Sequence, residues 1–155
     1  MRGLFELETA ADLYEKLKND FLIFEKDKLD SAAAYNFFVT AWHMLEWVYP
    51  DDPAKQKAFR DSSIVLQICE HLAVGAKHFQ PTNKKHESVK NSELTGGAWG
   101  KGFWKKGLWA RGVWGEKMLI YLEGNAAIEY GDSIQAFELA KEAMEFWRKN
   151  EKDIT

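Results

Sequence analysis

The sequence predicts a mainly α protein: a helical bundle of four long helices with a small β-hairpin and a Gly/Trp repeat insertion. Three observations carry that expectation. Apolar residues recur at spacings of three and four along four separate stretches, which is the period of a helix with one buried face. Capping residues and prolines stand at the ends of those stretches. Between the third and fourth lies a tract whose period of five belongs to neither helix nor strand. A chain of 155 residues that is 46% hydrophobic can bury one sizeable core but not comfortably two. Residues 1–155 therefore read as a single domain, with a helical core over 9–79 and 132–149, a basic Trp-repeat insertion over 80–117 and a hairpin over 118–131.

The first helix should start at Thr9, whose hydroxyl can cap it, with Asp12 three residues on to complete a capping box. Leu13, Leu17, Phe21 and Phe24 give it an apolar stripe to about Lys26. The second helix, capped by Asp30 or Ser31, runs to about Val48, and Phe37, Phe38, Ala41, Met44 and Leu45 help cover most of its circumference. A helix apolar nearly all round belongs at the centre of a fold. Tyr49 before Pro50 is pushed out of helical geometry and ends it. Asp52 followed by Pro53 starts a short helix to about Arg60, since the carboxylate can cap and proline suits the first helical position.

Ile64, Ile68, Leu72, Ala76 and Phe79 mark the buried side of the third long helix, which Pro81 closes. From Gln80 to Gly96 the composition is polar and rich in breakers, as in an exposed loop. Met118 to Glu123 is apolar and β-prone, Gly124-Asn125 is a turn signal, and Ala126 to Tyr130 can return as the second strand of a hairpin. Asp132 or Ser133 should cap the last helix, with Ile134, Phe137, Ala140, Met144 and Trp147 along one face and a fraying tail from Lys149 to Thr155.

The tract from Gly97 to Glu116 reads GAWGK, GFWKK, GLWAR, GVWGE. It sets Trp99, Trp104, Trp109 and Trp114 five apart, in step with four glycines, with Lys101, Lys105, Lys106 and Arg111 between the rings. An exact short period repeats one local geometry. Indoles interleaved with cations offer a stacking surface for bases beside charge for phosphates, and stacking contributes roughly 1–3 kcal/mol per base. Single-stranded nucleic acid is thus one candidate partner, and another protein is a second. The same rings can instead pack on the protein's own helices or on a twin subunit, because exposed aromatics at this density favour aggregation. A homo-oligomer is the expected state.

Residues 77–117 carry nine cations against three anions, a net of +6, while the flanks carry 12 cations and 21 anions, a net of −9. The basic segment can meet an external polyanion or the acidic remainder of its own chain. One cysteine, Cys69, excludes an internal disulfide framework and suits a reducing compartment. No apolar stretch approaches the length of about 20 residues that spans a bilayer, and acidic residues interrupt the N-terminal segment where a signal peptide would be apolar. A cytoplasmic location is the expectation.

His71 and His78 lie seven apart and share a helical face, while His43 lies on the central helix near Glu46. Imidazoles and a carboxylate on neighbouring helices are candidates for a metal site. The spacing lacks the tight pair of a motif such as HExxH, so a hydrogen-bonded polar layer is the better reading and no metal or other cofactor is assigned. No catalytic residues are assigned either. The sequence holds no phosphate-binding glycine loop ahead of a lysine, no nucleophile elbow, no paired cysteines and no calcium loop.

Two resemblances add to this reading. AWHMLEWVY (Ala41 to Tyr49), followed by LQICEHLAVGAKHF (Leu66 to Phe79), resembles small bacterial and phage proteins with a HEPN-like helical bundle, over about Asp30 to Phe79. That resemblance implies a helical fold and a tendency to dimerise. HEPN ribonucleases use an arginine and a histidine a few residues apart, and none of Arg2, Arg60, Arg111 or Arg148 has such a histidine. An unconventional ribonuclease or toxin-type activity is therefore an alternative rather than the main expectation. The GxWxx register is similar to that of pentapeptide-repeat proteins, in which four units would make one coil. The main expectation is a non-enzymatic binding or assembly module that uses the Gly-Trp repeat, with a purely structural repeat as the other alternative.

Overall fold

The computed structural model describes residues 5–77, 88–95 and 116–154. Among these the chain is mainly helical, with a small three-stranded antiparallel sheet. The repeat tryptophans and cations, His78 and the expected end of the third helix at Phe79 lie outside the described residues.

Helix α1 spans Ala10–Lys26 and begins in the expected capping box: the Thr9 hydroxyl accepts from the Asp12 amide at 3.2 Å, and the Asp12 carboxylate accepts from the Thr9 amide at 2.8 Å. Helix α2, Ser31–Val48, is capped by Asp30, whose carboxylate accepts from the amides of Ala32 and Ala33. Helix α3, Pro53–Asp61, starts with Pro53 behind an Asp52 side chain that accepts from the Lys55 amide at 2.9 Å. Helix α4 covers Ile64–Lys77. Each start satisfies amides that the helix leaves without an internal partner.

Beyond α4 the structure departs from the sequence reading in three places. The polar stretch read as loop contains strand β1, Val89–Thr95, paired antiparallel with β2, Lys117–Leu122. The expected hairpin over 118–131 does not form. After β2 the chain enters a short helix, α5, Gly124–Tyr130. Ala126 is buried and Tyr130, four residues on, is half-buried against the core, whereas Ile128 is 84% exposed. Burial every four residues is the helical pattern; a strand would have put Ile128 on the same face as both. Gly131 ends α5 with φ 83°, a backbone that glycine alone adopts readily.

The third departure concerns the last helix. Ser133–Gln135 forms β3, with Ile134 opposite Ile120, so neither Asp132 nor Ser133 serves as the cap. Helix α6 begins at Ala136 and runs to Lys149. The tail does not simply fray: a 3-10 turn over Glu151–Asp153 returns Ile154 to the core at 8% exposure.

Helix α2 packs against α1, α3, α4 and α6, as its apolar circumference requires. Phe21, Phe24, Phe37 and Phe137 join α1, α2 and α6, with the Phe21 and Phe137 rings stacked at 5.3 Å and Phe24 edge-on to Phe137 at 5.4 Å. Such pairs add specific geometry to the apolar burial. The sheet, in order β1-β2-β3, lies against α4 and α6. Ile120 and Leu122 of β2 are buried. On the alternate face Tyr121 donates its hydroxyl to Glu93 across the β1–β2 ladder at 2.9 Å.

Candidate functional site

The segment carrying the Gly-Trp repeat leaves the sheet after Thr95 and re-enters before Lys117, and those two residues are Cα partners in the β1–β2 register. The two points of attachment are therefore side by side at one end of the sheet. Trp99, Lys101, Trp104, Lys105, Lys106, Trp109, Arg111 and Trp114 themselves lie outside the described residues.

Beside this end of the sheet is an open groove of about 490 Å³ between α2, α4 and the inner face of β1 and β2. Its apolar wall includes Ala34 and Phe38 of α2, Leu72 and Ala76 of α4, Leu94 of β1, and Met118 and Ile120 of β2. The charged residues lining it, among the described ones, are Lys90 and Glu93. Its size is within the range of small-molecule sites, and its lining suits an apolar body more than a charged one. A second cleft of about 450 Å³, between the end of α1 and the starts of β2 and α6, has mixed charge, with Lys26, Lys28 and Lys117 beside Glu25, Asp27 and Glu116. In it Glu116 Oε2 is buried with no hydrogen-bond partner among the described residues.

The two described histidines, His43 and His71, make separate contacts. His43 is exposed on α2 and pairs through Nδ1 with Glu46 Oε2 at 3.0 Å. His71 lines the apolar groove and uses Nδ1 to accept the Val89 amide of β1 at 3.0 Å. Among the described residues no group of three or more His, Cys, Asp or Glu is placed to hold a metal ion. The role of His71 as the anchor of β1 was invisible in the sequence because β1 itself was; a histidine on the inner face of α4 was the only available signal.

Asp20 and Arg60 have structural partners. Asp20, 8% exposed, accepts from the Thr40 hydroxyl at 2.7 Å and pairs with Lys16, whose ammonium also donates to Thr40 at 2.8 Å. Arg60 joins Glu70 to Asp61 across the turn from α3 to α4. Burial pushes the Cys69 thiol up to about 12, so it remains protonated and non-nucleophilic at neutral pH. Burial likewise pushes Tyr130 up to about 12. None of these groups pairs a nucleophile with a base across an open cleft.

No family model, curated protein or solved structure matches this chain. Among the described residues no helix is long and apolar enough to cross a membrane.

Proposed function

We propose that the protein is a non-enzymatic binding module in which the basic Gly-Trp repeat engages single-stranded nucleic acid. The observation that carries this reading is the repeat itself: four indoles at a constant interval with Lys101, Lys105, Lys106 and Arg111 among them. Stacking on indoles accepts any base, and the cations neutralise phosphates, so recognition would be tolerant of sequence. The neighbouring attachments at Thr95 and Lys117 support it, because they fix both ends of the segment to one place on the folded body. In the same reading the longer helices form a bundle into which the repeat is inserted, comparable with a HEPN-like bundle, and the protein works in the cytoplasm as a homo-oligomer.

Titration with an oligothymidylate tests it. Tryptophan emission should be quenched at low salt, and affinity should fall steeply as salt rises, because binding releases condensed counterions. Replacing Lys101, Lys105, Lys106 and Arg111 by glutamine should flatten that salt dependence. Unchanged emission throughout a low-salt titration rejects the proposal. If, in addition, Trp104→Ala and Trp109→Ala lower the melting temperature or dissociate an oligomer, the repeat is architectural.

A further inference from the structure

The head of β1 is tied to α4 through one ring nitrogen. Nδ1 of His71 accepts the Val89 N–H at 3.0 Å, and Ser88 Oγ lies 3.3 Å from the same atom. An N–H can donate to Nδ1 only while that nitrogen keeps its lone pair, so the contact requires the neutral ring with its proton on Nε2. Ser88 Oγ meanwhile donates to the Gln67 carbonyl at 3.3 Å. Its hydrogen is committed there, and its lone pairs are available to a proton on Nδ1.

We infer that His71 is an acid-sensitive latch: the neutral imidazole holds β1 to α4, and protonation turns Nδ1 into a donor to Ser88 Oγ and releases the Val89 amide. This follows from geometry that holds whatever the repeat binds. Two N–H groups cannot share one hydrogen bond, so the imidazolium and the Val89 amide are incompatible at this distance. The freed amide would sit at the buried start of the strand, where Val89 is 9% exposed, and an unpaired buried amide is unfavourable. A strand end relieves such a cost by moving, and β1 forms one wall of the apolar groove. Acidification would thus loosen that wall while the Glu123 amide continues to donate to the Ser88 carbonyl at 3.2 Å.

Among the described residues, the titratable and charged groups around this part of α4 include Tyr35 of α2, Arg60 of α3 with its partner Glu70, Lys90 and Glu93 of β1, and Tyr130 of α5. Side chains of these types do not ordinarily change charge between about pH 5 and 8, whereas histidine does. The Glu93 carboxylate is turned to the other face of the sheet, where it accepts from Tyr121. Among the described groups at this place, a transition in that interval is assigned to His71.

Amide exchange and imidazole chemical shifts, followed by NMR on the full chain across that pH range and corrected for intrinsic exchange, test the latch. Protection of the Val89 amide should fall by roughly tenfold or more as pH drops, with the midpoint of the His71 titration. In His71→Asn the side-chain carbonyl can accept in place of Nδ1 at every pH, and the step should vanish. Titration of His71 without a change at Val89 overturns the inference. So does a folded protein in which His71 never titrates over this range, or a step that persists in His71→Asn. If that variant does not fold, the coincidence of the two midpoints in the unaltered chain decides alone.

Discussion

The indole N–H of Trp147, on the last helix, donates to the carbonyl of Ala41 at the middle of α2 over 3.1 Å, and both residues are fully buried. The bond gives the largest side chain of the core a fixed orientation, because a buried indole nitrogen needs an acceptor. Trp147→Ala removes the bond and leaves a large cavity, and should lower the free energy of unfolding by about 3–5 kcal/mol. Urea denaturation monitored by circular dichroism measures this. A loss below about 1 kcal/mol would show that the site collapses or that the packing is wrong.

Thr40→Val preserves shape at the α1–α2 contact but removes the hydroxyl that donates to Asp20. The carboxylate keeps Lys16 and loses its second donor, which should cost about 1–3 kcal/mol, the range for a buried acceptor left short of a partner. Replacing Asp20 and Thr40 together by apolar residues should recover part of the loss, as a double-mutant cycle in denaturant will register.

Alkaline stability should fall in a defined interval. Cys69 and Tyr130 ordinarily titrate near 9.0 and 10.0, and burial raises both to about 12 in the folded chain. A raised folded value means that the stabilisation is complete below the unfolded value and is lost as pH climbs from about 9 towards 12. The urea midpoint should decline over that interval, and Cys69→Ala should make the decline shallower. A thiol reagent at neutral pH should label Cys69 only as fast as the chain opens.

At the end of α5, Gly131 has φ 83° and ψ −175°, and a Cβ built there would meet nothing within 4 Å. Gly131→Ala therefore tests backbone conformation without a steric clash, and should cost about 1–3 kcal/mol. Thermal unfolding would report it, and an unchanged melting temperature would mean that the turn relaxes.

Much of the helical part was legible because its signals are local. Thr9 with Asp12, Asp30, and Asp52 with Pro53 each place a capping oxygen within four residues of the amides it serves. The sheet was not legible, because its strands find partners far along the chain. β1 reads VKNSELT, and a register irregularity between Val89 and Asn91 interrupts the alternation that would have exposed it. Ser133–Gln135 looked like a cap because serine is a good one; pairing with β2 overrode that preference. The Gly-Asn signal before Ala126 to Tyr130 points to a hairpin, but the two alanines that follow favour the helix that forms. For the candidate site, the repeat was plain in the sequence, whereas the apolar groove and the His71 anchor depend on β1 and could not be found without it.

The register that sets Thr95 opposite Lys117 has a mechanical consequence. A load drawn through the Gly-Trp tract would reach β1 and β2 at their adjoining ends and pull them apart transversely. Antiparallel ladders carry their bonds perpendicular to the strands, so these would open in succession, like a zipper, starting at Thr95 and Lys117, rather than resisting together in shear. A tightly held cargo under tension would peel the sheet at a far smaller force than one tugging on opposite ends of the same two strands.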